Sequence, residues 1–351
     1  MRIAMLQSDL PPARPGGVGR QVDLLATALV RRGHDVTVYA TVEGPTRALY
    51  RCERVPLPHS GRLYRQFGVG HAYGRLDLAR FDVVHAHGDD WLLGRRPRVR
   101  TFYGTAAMEA RRATSWLRAA SQLCYYPLEL VSSAGARGVT ISRSTQRYLP
   151  LAREHVPCAF DPSVFHPGGA RTPYPSVLFV AGTLHGRKRG DLLLRSFAEV
   201  RARLPAAQLT VVCPEAVEAA GVTGVSGLSP EALGALYRSH WILCSTSSYE
   251  GFGVPYVEAL ASGLPVVTTT NAGAREVLDG GRLGVLTSPE TLAASMVALL
   301  SDESRRADLA ASGLEAAARY SLDAIVDEYE RIYEELLEGA GRDGRRRRAS
   351  R

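Results

Sequence analysis

Short apolar runs, each followed by a polar or glycine-rich stretch and then by apolar residues at helical spacing, recur along the whole chain. Clear runs lie at residues 2–6, 36–39, 177–181 and 241–244. Such runs predict strands that are buried on both faces, as in a parallel sheet. Strands that alternate with helices predict an α/β fold.

The clearest unit covers residues 241–267. An apolar run breaks into small and polar residues, then into the turn Gly251-Phe252-Gly253, and helical spacing follows as far as Gly263. Another apolar run begins at Val266, so the pattern is strand, loop, helix, strand. Open α/β sheets bind ligands beyond the carboxyl ends of their strands, and the loop after residue 244 lies at such an end.

Two carboxylates flank this turn, Glu250 in the loop and Glu258 in the predicted helix. Glycines beside a helix start leave backbone N–H groups free to meet an anion, which the helix dipole also favours. Acidic side chains suit the hydroxyl groups of a ribose or a sugar better than they suit phosphate. The stretch therefore predicts a nucleotide-sugar site; an ordinary βαβ turn with solvated carboxylates is the simpler alternative.

The run EGFGVPYVEALASGLPVV resembles the signature of retaining GT-B glycosyltransferases of glycosyltransferase family 4. The resemblance implies two Rossmann-like, doubly wound parallel-sheet domains that face each other across a cleft. It also implies metal-independent sugar transfer from a nucleoside diphosphate sugar to an acceptor hydroxyl, with no further cofactor. Glu250 would bind the hydroxyls of the donor sugar and Glu258 the ribose, next to Gly251, Phe252 and Gly253. UDP or GDP is the expected nucleotide.

A cationic loop follows the strand at residues 177–181. All but one of the 43 basic residues are arginine, and the single lysine, Lys188, lies here between Arg187 and Arg189. A compact ammonium can do what a planar guanidinium cannot. The family resemblance places Lys188 on the donor diphosphate, with Arg187 or Arg189 as a second cation. The family's arginine after the first glycine is replaced by Thr183.

The first half of the chain contributes candidate residues at three strand ends. Gly16 and Gly17 precede the first helix and resemble the family's glycine pair, which faces acceptor and donor phosphate. His87, at the end of the run 81–87, is expected to line the cleft, whereas His85 suits a core position. Tyr103 stands where the family usually has histidine near the donor sugar. With an ordinary pKa near 10, tyrosine is a poor base, so either Tyr103 holds a sugar hydroxyl or catalysis needs less from this position.

The domain boundaries follow from proline- and glycine-rich segments. We expect an acceptor-binding domain at residues 1–166 and a nucleotide-sugar domain at 167–319. A helix at 320–338 would cross back to the first domain, as the family resemblance implies. Residues 339–351 read as a disordered basic tail.

Composition narrows the class further. No apolar run reaches the ~18–20 residues that span a bilayer. The apolar run at the start of the chain is too short for a signal peptide, because polar residues follow it at once. The five cysteines are scattered without metal-ligand spacing, so neither a disulfide framework nor a metal site is expected. These features predict a cytoplasmic protein, and the arginine-rich composition suggests a bacterial one.

Charge is distributed unevenly. Residues 1–168 hold 23 basic and 13 acidic residues, whereas residues 169–340 hold 14 and 21. A basic surface without a specific partner is the simpler explanation. The other is a contact between the first half and something anionic, either a phosphorylated acceptor or the inner face of a membrane. A nucleic-acid partner is not expected.

Rival functions remain open at this stage. A noncatalytic nucleotide-sugar-binding relative is supported by Tyr103 and Thr183, and a GT-B epimerase would share the fold. A phosphorylase would need a lysine for pyridoxal phosphate, and an NAD dehydrogenase lacks GxGxxG, since the first loop reads Gly16-Gly17-Val18-Gly19. The sequence carries no signal for the acceptor or the oligomeric state.

Overall fold

The computed structural model describes residues 1–14, 16–57, 62–94, 97–111, 113 and 115–349. The chain divides into two compact units, and each is built around one parallel sheet. Unit 1 comprises Met1–Cys158 and Leu322–Arg351, and unit 2 comprises Ala159–Ser321. The first crossing between units therefore comes at residue 158, earlier than the predicted boundary at 166.

Unit 1 opens with a strand, a helix and a second parallel strand, the unit that the apolar pattern predicted. Its elements up to residue 158 are β1 (Arg2–Leu6), α1 (Gly17–Arg31), β2 (Asp35–Ala40), β3 (Arg51–Arg54), α2 (Arg62–Gly74), β4 (Val83–Ala86), β5 (Arg98–Phe102), α3 (Ala106–Ala110), α4 (Trp116–Gly135), β6 (Arg137–Thr140), α5 (Arg143–Gln146) and β7 (Glu154–His155).

The strands of unit 1 are ordered β3-β2-β1-β4-β5-β6-β7, and all pairs are parallel. The chain winds outward in one direction from β1 and in the other from β4, so the topological switch point lies between these two strands. The apolar residues of β1 and β4 are fully buried, including Leu6 and Val84, and Tyr73 of α2 packs against them. This core holds the loops after β1 and β4 in place.

Unit 2 repeats the alternation of strand and helix. Its elements are β8 (Ser176–Val180), α6 (Gly190–Arg203), β9 (Gln208–Val212), β10 (Val222–Val225), α7 (Pro230–Ser239), β11 (Ile242–Ser245), α8 (Val254–Ala261), β12 (Val266–Thr269), α9 (Ala272–Val277), β13 (Val285–Thr287), α10 (Leu292–Ser301) and α11 (Glu303–Ala317).

The sheet of unit 2 has the order β10-β9-β8-β11-β12-β13, again all parallel. Its switch point lies between β8 and β11, the strands that precede the cationic loop and the glycine-rich turn. Phe179, Phe197 and Met296 belong to one buried cluster that joins the sheet to α6 and α10. The cationic loop after β8 and the glycine-rich turn after β11 are thus adjacent at the carboxyl edge of one sheet.

The last helix, α12 (Leu322–Ala349), belongs to unit 1. Its apolar stripe is buried, and Arg32, the residue after α1, pairs with Asp327 and Glu330 on its other side. The helix continues to Ala349, whereas composition predicted a disordered tail from residue 339. Extending a helix needs no new nucleus, and the five arginines of this segment favour a helix although its three glycines oppose one.

Candidate active site

The candidate site of unit 2 lies at the switch point between β8 and β11. A single turn of 3-10 helix, Gly186–Lys188, follows β8, and the segment 246–253 follows β11. Backbone contacts tie the two loops together, because Ser248 N donates to Arg187 O at 2.8 Å. Neighbouring parallel strands therefore bring the cationic loop against the acidic one.

Glu250 is the centre of an ion-pair group. Lys188 Nζ lies 2.5 Å from Glu250 Oε1, and Arg187 Nη1 lies 2.8 Å from Oε2. The side chains of Glu250 and Lys188 are only 10% and 12% exposed, whereas that of Arg187 is 51% exposed. The structure thus brings together three predicted site residues from two loops, with Lys188 and Glu250 62 residues apart in the sequence.

The electrostatics of this group keep Glu250 ionised. Burial alone would raise the pKa of its carboxyl group, but the charges on Lys188 and Arg187 outweigh burial and lower the pKa below its ordinary value. At neutral pH the group therefore carries two positive charges and one negative charge. An anionic ligand would find a net positive, partly buried surface here.

Arg189 makes different contacts from its two basic neighbours, Arg187 and Lys188. It has a left-handed backbone, with φ of +50°, and its guanidinium donates to Thr246 O at 2.6 Å and to Thr269 Oγ1 at 2.8 Å. Thr246 Oγ1 in turn donates to Lys188 O at 2.5 Å. Arg189 therefore fixes the loop that presents Lys188, and of the two arginines only Arg187 pairs with Glu250.

The Gly251-Phe252-Gly253 turn is held by the start of α9. Gly253 has φ of +104° and directly precedes α8, and the ring of Phe252 is buried. Gly273 passes so close that an added Cβ would lie 2.3 Å from Phe252 O. Gly273 is thus a supporting residue of the site, and the glycine in the sequence NAGAREVL was its only signal.

Glu258 lies inside unit 2 and not on an open face of α8. It is 3% exposed, and Tyr237 OH donates to its Oε2 at 2.8 Å. The sequence predicted Glu258 in a helix beside the glycine-rich turn, with its side chain on the ribose, but all residues from 256 to 261 are buried. A short helix covered on all sides leaves no polar face, so a role for Glu258 on a ribose stays a prediction.

Thr183, which replaces the family's arginine, is paired with a carboxylate. Its hydroxyl donates to Glu215 Oε1 at 2.6 Å and accepts from His185 N at 3.2 Å. This hydrogen bond lowers the pKa of Glu215. Glu215 follows β9, the neighbour of β8, and sequence reasoning did not single it out. An acidic group thus stands where the family pattern has a cation.

The candidates of unit 1 form a separate group. Gly16 and Gly17 are exposed at the start of α1, and a Cβ added to either would meet nothing within 4 Å. His87 follows β4, is 5% exposed, and shares a hydrogen bond of 3.1 Å between its Nδ1 and Tyr103 OH. Burial lowers the pKa of His87 and raises that of Tyr103. Both are therefore neutral at neutral pH.

His85 belongs to the core, as the sequence suggested. Its ring nitrogens contact Tyr333 OH at 2.7 Å and Thr101 Oγ1 at 2.8 Å, and Thr101 also contacts Tyr329 OH at 3.0 Å. Burial lowers the pKa of His85 to about 3. The two tyrosines come from α12, so the last helix is fastened to the sheet of unit 1 through a buried polar network.

The described residues contain neither a metal-binding cluster nor a membrane-spanning helix. No three His, Cys, Asp or Glu side chains come together there as a metal-binding group. No helix within the described ranges is long and apolar enough to cross a membrane. All five cysteines are free thiols.

Solved structures define the class of protein first. Sucrose-phosphate synthase from Thermosynechococcus elongatus matches with a TM-score of 0.77 and 20% identity, over 96% of this chain and 99% of that one. The Anabaena protein Alr3699/HepE, in complex with UDP and glucose, matches with 0.73 and 17% identity, over 95% and 100%. The chain has the GT-B fold, which confirms the predicted fold class.

Sequence families then narrow the class. Residues 15–151 match the model described as Glycosyltransferase Family 4, and residues 174–302 match Glycosyl transferases group 1. D-inositol 3-phosphate glycosyltransferase of Corynebacterium jeikeium (strain K411) is 26% identical, over 99% of this chain and 100% of its own length. The chain belongs to glycosyltransferase family 4 and is a glycosyltransferase, as the signature around Glu250 predicted.

Proposed function

We propose that this glycosyltransferase takes its sugar from a nucleoside diphosphate sugar and passes it to an acceptor hydroxyl, with retention at the anomeric carbon and without a metal ion. The observation that carries the proposal is the group of Lys188, Arg187 and Glu250 at the switch point of unit 2. It combines cations for a diphosphate with a carboxylate for sugar hydroxyls, in the crevice where α/β sheets bind nucleotides.

The group is suited to exchange partners when a donor binds. In the structure both cations contact the Glu250 carboxylate. A diphosphate carries more negative charge than a carboxylate, so it would draw Lys188 and Arg187 to its own oxygens. Glu250, ionised because of its lowered pKa, could then accept hydrogen bonds from the donor sugar.

The same cations would assist the reaction. The bond from the anomeric carbon to the phosphate oxygen breaks, and negative charge grows on the leaving diphosphate. Lys188 and Arg187 would stabilise that charge, and the loss of one such contact typically costs ~10²–10³ in rate. The acceptor oxygen forms the new bond on the same face of the sugar, and its proton passes to the leaving phosphate oxygen.

The nucleotide of the donor and the chemical class of the acceptor can be proposed from the related proteins. Uridine diphosphate is the first nucleotide to test, because the Anabaena neighbour of the same fold is described in complex with UDP. The related glycosyltransferase from Corynebacterium is named for D-inositol 3-phosphate. A polyol phosphate also suits the basic excess of residues 1–168, so it is the first acceptor class to test.

A noncatalytic nucleotide-sugar-binding protein is the second candidate. Tyr103 replaces the family histidine and is engaged with His87, and Thr183 replaces the family arginine and is engaged with Glu215. Both departures remove groups that would assist transfer. Incubation with a donor separates the candidates, since a binding protein would release no nucleoside diphosphate with or without acceptor.

Thermal unfolding with added nucleotides tests the donor site. UDP, GDP, ADP and dTDP are titrated without metal into wild type, Lys188→Ala and the control Arg195→Ala. Arg195 is 68% exposed on α6 and pairs only with Asp191 among the ion pairs of the described residues, so its loss should leave the site intact. A ligand at about 100 times its Kd adds ~2.7 kcal/mol of stability.

The expected result is stabilisation of wild type and Arg195→Ala by one nucleotide, with a much smaller effect on Lys188→Ala. Equal stabilisation of Lys188→Ala would place the nucleotide elsewhere. No stabilisation by any of the four at millimolar concentrations would overturn the nucleotide-sugar donor.

A further inference from the structure

Helix α4 exposes a continuous apolar ridge to solvent. Trp116, Leu117, Leu123 and Val131 are 76%, 63%, 58% and 58% exposed. Trp116, Leu123 and Val131 are separated by seven and eight residues, about two helical turns each, so they lie along one side of the helix. Ala120, Cys124, Pro127 and Ala134 on the same side are exposed as well. Solvated apolar patches of this extent mark interaction surfaces.

No carboxylate interrupts this ridge. The one acidic residue of α4, Glu129, points into unit 1, where it is 8% exposed and its Oε2 accepts from Ala106 N at 2.9 Å. Burial raises the pKa of Glu129 to about 7. The only charged side chain that α4 shows to solvent is Arg118 in its first turn, half exposed and 3.3 Å from Glu109 of α3.

Basic side chains border the ridge. Tyr148 links them to α4, because its hydroxyl accepts from Arg111 at 3.1 Å and its backbone oxygen accepts from Tyr126 of α4 at 2.6 Å. Next to Tyr148 an open groove of about 530 Å³ is lined by Arg143, Gln146, Arg147 and His155. The apolar ridge of α4 is therefore connected through Tyr148 to a neighbouring groove that contains two arginines.

We propose that this face of unit 1 binds the surface of an anionic lipid bilayer, with the ridge of α4 inserted among the acyl chains and the arginines at the headgroups. Tryptophan and leucine on one side of a helix, with arginine at its edges, form the pattern of helices that lie in the membrane interface. Charge complementarity selects lipid over a second copy of the chain, because a symmetric contact would bring the same arginines together. The proposal is independent of the donor nucleotide.

Vesicle co-sedimentation of the full-length protein tests the surface. Vesicles of phosphatidylglycerol with phosphatidylcholine are compared with pure phosphatidylcholine, at low and high salt. The protein should bind only the anionic vesicles, and high salt should weaken binding because it screens the arginines. Leu123→Glu should lower the partition coefficient about tenfold or more, since an apolar contact is lost and a like charge is added.

Two further variants sharpen the test. Leu49→Glu is the matched control, because Leu49 is 56% exposed in unit 1 but lies between β2 and β3; its binding should fall far less than that of Leu123→Glu. Arg147→Ala should lower partitioning about fivefold, as expected for one arginine at an anionic surface. If Leu123→Glu is poorly folded, Val131→Glu replaces it.

Three results would overturn the proposal. They are no binding of wild type to anionic vesicles at low salt, equal loss in Leu49→Glu and Leu123→Glu, and a dimer in solution that Leu123→Glu converts to monomer. Nucleotide-induced thermal stabilisation is measured on the same samples. It should not change in the α4 variants, so failure at the membrane and failure at the donor site can be told apart.

Discussion

Replacement of Glu250 by glutamine should change nucleotide binding and sugar transfer in opposite directions. The carboxylate lies 2.5 Å from Lys188 Nζ and 2.8 Å from Arg187 Nη1. A nucleoside diphosphate must compete with Glu250 for these cations and is also repelled by its negative charge. Glutamine keeps the size of the side chain and removes the charge, so Glu250→Gln should bind UDP more tightly.

The size of this effect follows from the geometry. Two unit charges 4 Å apart interact by about 1 kcal/mol in water and by more at a partly buried site. A change of 1 kcal/mol corresponds to about fivefold in Kd, so the variant should bind UDP about fivefold tighter or better. Transfer should fall by ~10²–10³, because the carboxylate proposed to orient the donor sugar is lost.

Calorimetric titration with UDP and a coupled assay of UDP release from UDP-sugar measure the two effects. Glu199→Gln is the control, since this exposed glutamate of α6 makes the same change in net charge away from the site. It should leave both quantities unchanged. Weaker UDP binding by Glu250→Gln would refute the competition between carboxylate and diphosphate, and unchanged transfer would refute the role of Glu250 on the sugar.

Three other substitutions test the supporting structure. Gly273→Ala should lower both stability and nucleotide affinity, because its Cβ would lie 2.3 Å from Phe252 O. The control Gly182→Ala, whose Cβ meets nothing within 4 Å, should leave both nearly unchanged. Equal urea midpoints for the two variants would contradict this prediction. Burial lowers the pKa of His85 from 6.5 to about 3, so between these values the unfolded chain binds a proton that the folded chain does not, and stability falls as pH falls. In His85→Gln this loss of stability on acidification, up to about 1.4 kcal/mol per pH unit, should disappear. Urea unfolding at neutral and acidic pH measures it, and a pH dependence equal to that of wild type would contradict the reasoning. Tyr103→Phe should lower transfer about tenfold and leave UDP binding unchanged, whereas equal transfer rates would remove Tyr103 from the site.

The fold and the family could be predicted from local features. Apolar runs that alternate with helical periodicity specify parallel βαβ units, and the signature around Glu250 lies within one such unit. The approach of Lys188 to Glu250 was also within reach, because both follow parallel strands at the same edge of a sheet. What remained hidden is the direct pairing inside the site, where the Glu250 carboxylate contacts both cations.

The remaining contacts depend on tertiary structure. Arg189 looks like its neighbours in the sequence, but its left-handed backbone turns its guanidinium to Thr246 and Thr269. The contact of Glu258 with Tyr237 could not be predicted, because the helical periodicity of the sequence does not show that α8 is covered on all sides. In α4 the helical periodicity of the sequence shows an apolar face, but only the folded chain shows that Trp116 and Leu123 on this face are exposed to solvent.

The single lysine allows the most direct measurement of the donor site. Lys188 is the one lysine among the 351 residues, so an amine-acylating reagent modifies this side chain and the α-amino group of the chain, and mass spectrometry gives both rates from one sample. Saturating UDP, or whichever nucleoside diphosphate stabilises the protein, should slow acylation of Lys188 and leave the rate at the α-amino group unchanged. If the four nucleotides leave the Lys188 rate equal to that of free protein, the diphosphate does not bind there and the proposed donor site is wrong.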